Sequence, residues 1–341
     1  MSILFISGIK KPNECGITDY ICLLTKELKL RGKVVNYFSI CKKQTQANFA
    51  QTIPNADLYS IQFAPYAFSP SGLSGNSLLE MAKALANKNV HVNFHEIWIG
   101  AYPNASWKER YLGWRQKKEI LNFIKYLKPK LISCSNSAVF NLLSQSGIKS
   151  KYLYLFGNIP FSQLQEYKSN NDLEIVFFGS TYKNFPYDLL ALRLDEISQF
   201  LNKSVKIKII GRQRENQGVH KLRRISKKYN FVIHEIGELP TDAISKIFQG
   251  CDIGVSTTPY DILGKSGATM AMLEHGLPVL IFDDGDTSKD LLLKNEEFSD
   301  QIFLLNKQIK PNPIISFMSK PRKTFFNGVV HTANKMLKIL Y

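Results

Sequence analysis

The sequence contains few cysteines and no long apolar run. Its 341 residues include five cysteines, which are scattered, odd in number and never closely paired. That distribution argues against a disulfide framework or a zinc site and favours a reducing compartment, so we predict a cytoplasmic protein. No apolar run approaches the ~18 residues that a membrane-spanning helix needs. The apolar opening, Met1 to Ile6, is followed by Lys10 and Lys11 and has no basic leader, which predicts a first strand and not a secretion signal.

Acidic residues are also scarce relative to basic ones. The chain has 28 Asp and Glu against 44 Lys and Arg, a formal net charge of +16. This excess favours anionic partners, namely nucleic acid, an acidic membrane face or a phosphorylated substrate, unless it only reflects a basic proteome. No stretch matches an RNA- or DNA-binding motif, so we do not expect a nucleic-acid partner. The hydrophobic fraction of 44% is ordinary for a soluble protein with buried cores.

Short apolar runs alternate with amphipathic stretches along the first half of the chain. This rhythm of strand, helix and strand predicts a parallel sheet covered on both faces. The predicted strands are 3–7, 34–40, 58–62, 90–94, 131–134 and 152–156, and the predicted helices are 16–30, 77–87, 107–127 and 137–144.

The pattern pauses between Asn158 and Asn171, which predicts a linker. It then restarts, and the fold class is therefore α/β with two Rossmann-like parallel-sheet domains, 1–160 and 172–322, followed by a C-terminal helix at 323–341. The predicted strands of the second domain are 174–178, 205–210, 231–236, 252–256 and 278–282, and its predicted helices are 187–201, 219–229, 241–249 and 266–275.

The segment from Gly264 to Gly267 follows a predicted strand and precedes a helix. In open parallel sheets, ligands bind beyond the carboxyl ends of the strands. Ser266 is a good N-cap, Lys265 adds a positive charge, and the free amides of a helix start favour an anion. The alternative is an ordinary turn in which Ser266 only caps the helix. The segment is not a Walker P-loop, because Tyr260 stands where that motif has its first glycine.

Other predicted loops at strand ends carry further candidates. His95 and Glu96 could act as a base, an acid or a pair that orients a hydroxyl, or His95 could be bonded within its loop. Gly16 lets a ligand approach the first helix, although Gly8 and Gly16 are too far apart for a dinucleotide fingerprint. Lys183 and Arg212 follow Gly179 and Gly211 and could bind phosphate, or they could be solvated.

Aromatic and basic residues share the predicted helix 107–127. Trp107, Tyr111 and Trp114 recur at helical spacing among lysines and arginines. We expect these aromatics to face the core. The alternative is a basic amphipathic surface for an anionic membrane or a lipid-linked acceptor. A second basic run, 221–228, predicts only the exposed face of a helix.

Several segments together resemble one known family. The most specific likeness is the pair of segments 249–256 and 271–279, which resembles an "ADV…P…EAMA-GxPV" signature. Weaker likenesses lie in an early glycine loop at 14–17, a strand ending in His and an acid at 94–98, and two strand ends at 176–179 and 236–239. Over nearly its whole length the chain resembles GT-B glycosyltransferases, closest to retaining family 4.

The resemblance implies two domains facing across a cleft, with the last helix returning to the first domain. It also implies transfer of a sugar from a nucleotide-diphosphate sugar to a glycan, lipid-linked or other acceptor, as in cell-surface polysaccharide or glycoconjugate assembly. No cofactor and no metal is expected, and peripheral contact with the inner membrane face is compatible with the charge. The implied catalytic residues are His95, which would position the transferred sugar or acceptor, and Glu96, which would orient His95. The implied donor-phosphate residues are Gly16, Lys183, Arg212, Lys265, Ser266 and Gly267. The implied nucleotide-binding residues are Gly179, Ser180, Gly237, Glu238 and Leu239. The implied acceptor-side residues are Gln62, Tyr66 and Trp98.

The chain departs from the family pattern at the positions of two glutamates. Counted back from Gly276, those positions hold Leu263 and Ala271, and Glu274 lies three positions late. The usual Arg after the domain-opening glycine is Ser180. These departures leave two alternatives open: a non-catalytic relative that binds nucleotide sugar or glycan, and a sugar-nucleotide epimerase on the same fold.

Overall fold

The computed structural model describes residues 1–8, 16–40, 49–102, 105–163, 171–212, 217–282, 298 and 300–340. Within this part of the chain two compact units are found, and each is described by itself. The first comprises Met1–Tyr154 with Val329–Tyr341, and the second comprises Leu155–Gly328.

The first unit is built on a six-stranded parallel sheet in the order β2-β1-β3-β4-β5-β6. Its three central strands, β1, β3 and β4, are buried almost throughout, as is usual when helices cover both faces of a parallel sheet. The strands are β1 Ser2–Gly8, β2 Val34–Ile40, β3 Leu58–Phe63, β4 Val90–Phe94, β5 Leu131–Cys134 and β6 Lys151–Tyr152.

Helices of the first unit come from both ends of the chain. They are α1 Gly16–Leu30, α2 Phe49–Thr52, α3 Pro65–Phe68, α4 Asn76–Ala84, α5 Trp107–Leu127, α6 Ser137–Gln145 and the terminal α12 Gly328–Leu340. The terminal helix is tied to this unit because the Thr332 hydroxyl donates to the Tyr154 carbonyl at 3.0 Å, and the Arg31 guanidinium donates to the Asn334 side chain.

The second unit has a six-stranded parallel sheet in the order β12-β11-β10-β7-β8-β9. Its strands are β7 Asp172–Phe178, β8 Ser204–Ile210, β9 Val232–Gly237, β10 Ile253–Ser256, β11 Val279–Phe282 and β12 Ile302–Leu305. Its helices are α7 Tyr187–Leu201, α8 Gln217–Tyr229, α9 Thr241–Gly250, a 3₁₀ turn at Tyr260–Lys265, α10 Gly267–Glu274 and α11 Pro311–Met318.

The strand order of each sheet fixes where a ligand can approach. In the second unit the chain builds outward from β7 through β8 to β9, then returns to the other side of β7 with β10. That is the 3-2-1-4-5-6 order, whose reversal opens a crevice beyond the carboxyl ends of β7 and β10. In the first unit the reversal falls between β1 and β3.

These two parallel units confirm the predicted fold class. The prediction lacked five of the observed elements, which are α2, α3, the 3₁₀ turn at Tyr260–Lys265, β12 and α11. The boundary between the units also moves from residue 160 to 154, because residues just after Tyr154 pack within the second unit. Gly157 N donates to Glu274 at 3.0 Å, and the rings of Phe161 and Phe325 stack with centroids 4.6 Å apart. Part of the predicted linker, 164–170, lies outside the described residues.

The aromatic residues of α5 face solvent, so the prediction that they face the core is wrong. Trp107, Tyr111 and Trp114 are 73%, 58% and 59% exposed. The core face of this helix is taken by other residues at the same helical spacing on the opposite side, and these are Gly113, Gln116, Ile120, Phe123 and Leu127. Within the described part of the chain, no helix is both long and apolar enough to cross a membrane.

Candidate functional site

A ring of buried polar side chains crosses the centre of the first sheet. Its members alternate along their strands and so share one face of the sheet. All are at most 2% exposed: Ser60 and Gln62 on β3, His91 and Asn93 on β4, and Ser133 on β5.

The hydrogen bonds of this polar ring run in one direction. Gln62 Nε2 donates to Ser60 Oγ at 2.8 Å, and Ser60 Oγ bonds His91 Nδ1 at 3.0 Å. His91 Nε2 bonds Ser133 Oγ at 2.7 Å, and Ser133 Oγ donates to Asn93 Oδ1 at 2.7 Å. Asn93 Nδ2 closes the ring on Gln62 Oε1 at 3.0 Å. In this direction His91 accepts at Nδ1 and donates from Nε2.

His95 follows the carboxyl end of β4 and is hydrogen-bonded to the polar ring. Its Nε2 lies 2.8 Å from Gln62 Oε1, an acceptor, and 3.2 Å from Asn93 Nδ2, which donates to the same Gln62 oxygen. The shorter contact, to an acceptor, places the hydrogen on Nε2 and leaves a lone pair on Nδ1. The ring of Tyr20, on α1, meets the imidazole edge-on with centroids 5.2 Å apart. The histidine is therefore held in one orientation and one tautomer.

Burial keeps both histidines of this region neutral. Loss of hydration lowers the pKa of His95 to about 4. Burial, with a smaller contribution from His95, lowers the pKa of His91 to about 3. At neutral pH His95 is therefore an uncharged hydrogen-bond acceptor. An imidazole with so low a pKa is a weak base, and orienting a hydroxyl suits it better than removing a proton.

The structure changes the roles of three residues predicted in this unit. Gln62 is fully buried with both amide atoms bonded, so it cannot contact an acceptor and instead holds His95. That task was predicted for Glu96, which follows His95 in the chain and is half-buried. Trp98 is only 7% exposed and packs in the core with Lys117 Nζ 5.2 Å from its ring, which removes it from the acceptor side.

Two other predicted residues remain accessible. Tyr66 is 37% exposed on the short helix α3, which follows β3 directly. Gly16 is exposed at the first position of α1, and no described atom lies within 4 Å of the place a Cβ would occupy. The rest of its predicted loop, 9–15, lies outside the described residues.

In the second unit three glycines end three neighbouring strands. Gly179, Gly211 and Gly237 have φ values of 82°, 106° and 79°, a region that favours glycine. They lie side by side, because Gly211 N donates to Gly237 O at 2.7 Å and a Cβ on Gly211 would stand 3.3 Å from Gly179 Cα. A Cβ on Gly179 would stand 3.0 Å from Ala268 Cβ, in the first turn of α10. The three glycines therefore form a surface without side chains, the glycine floor, which adjoins the N-terminus of α10.

Ser266 caps α10 at the edge of this glycine floor. Its Oγ accepts from Thr269 N at 3.3 Å, from Thr269 Oγ1 at 2.8 Å and from Thr258 Oγ1 at 3.2 Å. A serine oxygen has two lone pairs, which these three contacts share, and the hydroxyl also has one hydrogen that can be donated to an anion. Gly267 is half-buried, with open space where a Cβ would be. Both readings of Ser266 from the sequence, as cap and as anion ligand, are compatible with this geometry.

Thr257 joins the loops at the two sides of the crevice. Its Oγ1 accepts from Tyr182 N at 3.0 Å and donates to Ser180 O at 3.1 Å. The loop after β7 is thereby fixed to the end of β10. Lys183, in the same loop, is exposed, and its carbonyl accepts from Lys221 Nζ at 2.7 Å.

Arg212 and Glu238, predicted to contact phosphate and nucleotide separately, pair with each other. Arg212 NH2 lies 2.9 Å from Glu238 Oε1, and the two side chains are 51% and 62% exposed. An exposed pair of this kind contributes about 0–1 kcal/mol, so either partner can exchange it for a ligand. Leu239 follows and is half-buried. No group of His, Cys, Asp and Glu suited to a metal ion is found among the described residues.

The positions that hold glutamates in the resembled family are part of the core. Leu263 and Ala271 are fully buried. Glu274 is 2% exposed, and its Oε1 accepts from Gly157 N at 3.0 Å. The carboxylate of Glu274 therefore supports the backbone.

Sequence reasoning missed most of the polar ring and the threonines around Ser266. A signal was available: Ser60, His91, Asn93 and Ser133 interrupt strands that are otherwise apolar, at every second position. On a central parallel strand such residues require partners inside the sheet.

No family model matches the chain, and no curated protein matches its sequence. Solved structures match its fold at low identity. Anabaena Alr3699/HepE in complex with UDP has a TM-score of 0.57 at 14% identity, over 100% of this chain and 97% of that one. UDP-GlcNAc 2-epimerase from Methanocaldococcus jannaschii has 0.53 at 10%, over 100% and 99%. The lipopolysaccharide outer core galactosyltransferase WaaB has 0.51 at 13%, over 98% and 95%. The chain thus shares the two-domain α/β fold of these enzymes, the fold known as GT-B.

Proposed function

We propose that the chain is a glycosyltransferase whose second unit binds a nucleoside-diphosphate sugar. The observation that carries the proposal is the glycine floor of Gly179, Gly211 and Gly237 beside the N-terminus of α10. It lies where a sheet of this strand order binds nucleotides. The likeness to a structure solved with UDP supports the same ligand class.

The diphosphate is assigned to the start of α10. The amide of Gly267 and the hydroxyl of Ser266 donate to it, and Lys265 and Lys183 supply positive charge. During transfer, negative charge develops on the leaving phosphate, and pre-aimed donors of this kind stabilise it by about 3 kcal/mol each. The base and ribose are assigned to the ends of β7 and β9, near Ser180 and Leu239, where Arg212 and Glu238 can part to admit them.

His95 is assigned to a sugar hydroxyl. Its neutral ring presents Nδ1 as an acceptor, and the polar ring beneath fixes that choice. The acceptor, a glycan or lipid-linked molecule, is assigned to the first unit near Tyr66 and Gly16. Retention at the anomeric carbon follows from the family resemblance and is checked by the anomeric signal of the product.

Calorimetric titration with UDP, GDP, ADP and dTDP, and with their sugars, tests the donor site. We expect binding of at least one diphosphate in the micromolar to millimolar range, weakened by Ser266→Ala and by Lys265→Ala. The matched control is Ser106→Ala, which removes the N-cap hydroxyl of α5 in the first unit and leaves nucleotide affinity unchanged. Absence of binding to every nucleotide, or equal affinity in both site variants and wild type, would overturn the assignment.

A sugar-nucleotide epimerase is the second candidate, because an enzyme of that activity matches the whole chain in fold. The two functions separate in one incubation of nucleotide sugar without acceptor. An epimerase converts the sugar while it remains attached to the nucleotide. A transferase leaves it intact until an acceptor is supplied. A new sugar nucleotide in that incubation would therefore decide against transfer.

A further inference from the structure

The outward face of α5 is aromatic and cationic. Trp107, Tyr111 and Trp114 lie on it, and the rings of Tyr111 and Trp114 stack with centroids 6.1 Å apart. Lys108 and Lys118 reach over the two indoles, with Nζ 5.7 Å and 6.0 Å from the ring centroids. Further exposed cations on the same helix are Arg110, Arg115 and Lys125.

The acids of α5 are outnumbered by its six lysines and arginines. The helix is described along its whole length and carries two, Glu109 and Glu119. Glu109 accepts from Ser106 and Tyr102, within the capping box at the helix start. Glu119 Oε2 accepts from the backbone amides of Ser74 and Gly75 at 2.9 Å and 3.2 Å. Both carboxylates are turned to partners in the protein, so the face that remains is aromatic and positive.

The positive charge of the whole chain is concentrated in the unit that carries this helix. The first unit has 22 Lys and Arg against 8 Asp and Glu, a formal +14. The second has 22 against 20, a formal +2. The second unit also has a basic helix, α8, but its exposed face lacks large aromatic side chains.

We propose that the outward face of α5 docks on an anionic phospholipid bilayer. Tryptophan and tyrosine partition to the boundary between headgroups and acyl chains, and lysine and arginine pair with anionic headgroups. A helix with this composition lies in the plane of the interface. These large aromatic side chains are exposed and do not contribute to the core of the unit. A partner that is bound by charge alone would not require them. This docking is independent of the nucleotide.

Vesicle flotation of the full chain tests the proposal. We expect binding to phosphatidylcholine vesicles that contain phosphatidylglycerol, loss of binding as salt rises, and none to phosphatidylcholine alone. Because each cation near an anionic surface contributes about fivefold in affinity, Arg115→Gln with Lys118→Gln weakens binding about 25-fold. The control pair Lys227→Gln and Lys228→Gln removes equal charge from α8 and keeps wild-type binding.

The aromatic contribution has its own variant and control. Trp107→Ser with Trp114→Ser weakens binding about tenfold or more, since both indoles leave water on docking. Phe200→Ser removes a comparably exposed aromatic, 68% exposed on α7, and leaves vesicle binding unchanged. Equal binding of the double tryptophan variant and wild type would place the docking surface elsewhere and overturn the proposal.

Tryptophan fluorescence reports directly on the environment of the outward face of α5. The chain has three tryptophans, and the third, Trp98, is buried. In Trp98→Phe, anionic vesicles shift the emission to shorter wavelength, and brominated lipids quench it. Unshifted emission without quenching, or binding to RNA or an acidic protein in place of vesicles, would overturn the proposal. Titration of the same variants with UDP separates this result from the proposed function, because docking variants keep nucleotide affinity.

Discussion

Gln62 Oε1 accepts a hydrogen bond from His95 Nε2 at 2.8 Å, across 33 positions of sequence. Gln62 also accepts from Asn93 and donates to Ser60. The hydrogen bonds of the buried polar ring fix the orientation of the Gln62 amide, so that its oxygen faces the imidazole. His95 therefore carries its hydrogen on Nε2 and has Nδ1 as the acceptor. Gln62 is a positioning residue, and its effect can be measured on His95 itself.

Replacing Gln62 by glutamate should raise the pKa of His95. The carboxylate would accept the same hydrogen and would favour the protonated imidazole, which opposes the effect of burial. Titration of the His95 ring signals by NMR measures the change. Gln116→Glu is the matched control: it is buried in the same unit, bonds Ile99 N and does not touch His95. An unaltered His95 pKa in Gln62→Glu would contradict the assigned contact.

Breaking the polar ring should cost stability. Ser133→Ala leaves His91 Nε2 and Asn93 Oδ1 without their partner in a dry environment, which costs about 1–3 kcal/mol. Urea unfolding followed by tryptophan fluorescence measures this, because all three tryptophans lie in the first unit. Ser146→Ala removes a part-buried hydroxyl at the end of α6 and should cost less than about 1 kcal/mol. Equal losses of unfolding free energy in the two variants would argue against a stabilising role for the polar ring.

The first unit should lose stability as pH falls below about 6.5. Folding lowers the pKa of His95 to about 4 and that of His91 to about 3, so the unfolded chain binds more protons below the ordinary value of 6.5. The contribution is complete above that pH and decreases by about 1.4 kcal/mol per pH unit for each histidine until its folded pKa is reached.

Unfolding midpoints between pH 7 and 4 measure this dependence. His91→Gln should remove one of the two histidine contributions and flatten the slope. His234→Gln, at an exposed position in the second unit, should keep it. Parallel slopes for His91→Gln and wild type would show that His91 titrates alike in folded and unfolded chains.

Filling the glycine floor should weaken nucleotide binding. Gly211→Ala places a Cβ 3.3 Å from Gly179 Cα at a φ of 106°, which costs about 1–2 kcal/mol of stability and pushes the neighbouring loop. Gly147→Ala is the matched control, with a φ of 74°, open space around the Cβ and a place in the first unit. It should lose similar stability without loss of UDP affinity. Calorimetry on both proteins tests the difference, and unchanged affinity in Gly211→Ala would contradict the site.

Glu274 should prove structural despite its place in the family-like segment. Glu274→Gln keeps an acceptor for Gly157 N and should retain nucleotide affinity, whereas Glu274→Ala leaves that amide unpaired at a cost of about 1–3 kcal/mol. Thermal unfolding and UDP titration measure the two effects. Loss of UDP-sugar binding in Glu274→Gln, with unchanged stability, would return this carboxylate to the donor site.

Much of the architecture follows from local pattern. Apolar runs such as 58–62 and 90–94 predict buried strands, and Ser266 before an apolar helix predicts a cap, because burial and capping depend on near neighbours. The boundary at residue 154 did not follow, since it depends on partners such as Glu274 and Phe325 that are more than a hundred positions from residues 155–163. Strand β12 did not follow either, because it is a four-residue edge strand that is placed by its pairing with β11.

The sequence by itself determined two parallel α/β units, a basic chain and glycine-rich strand ends suited to an anion. Only the tertiary structure decided which polar and aromatic side chains are buried and which face solvent. Trp107 and Trp114 have the spacing of core residues, yet Ile120 and Phe123 occupy the core side of their helix. Gln62 was predicted to contact the acceptor, yet strand pairing places its side chain inside the unit, where it bonds His95. Periodicity defines a stripe on a helix or strand, but only packing against the rest of the unit decides which stripe is buried.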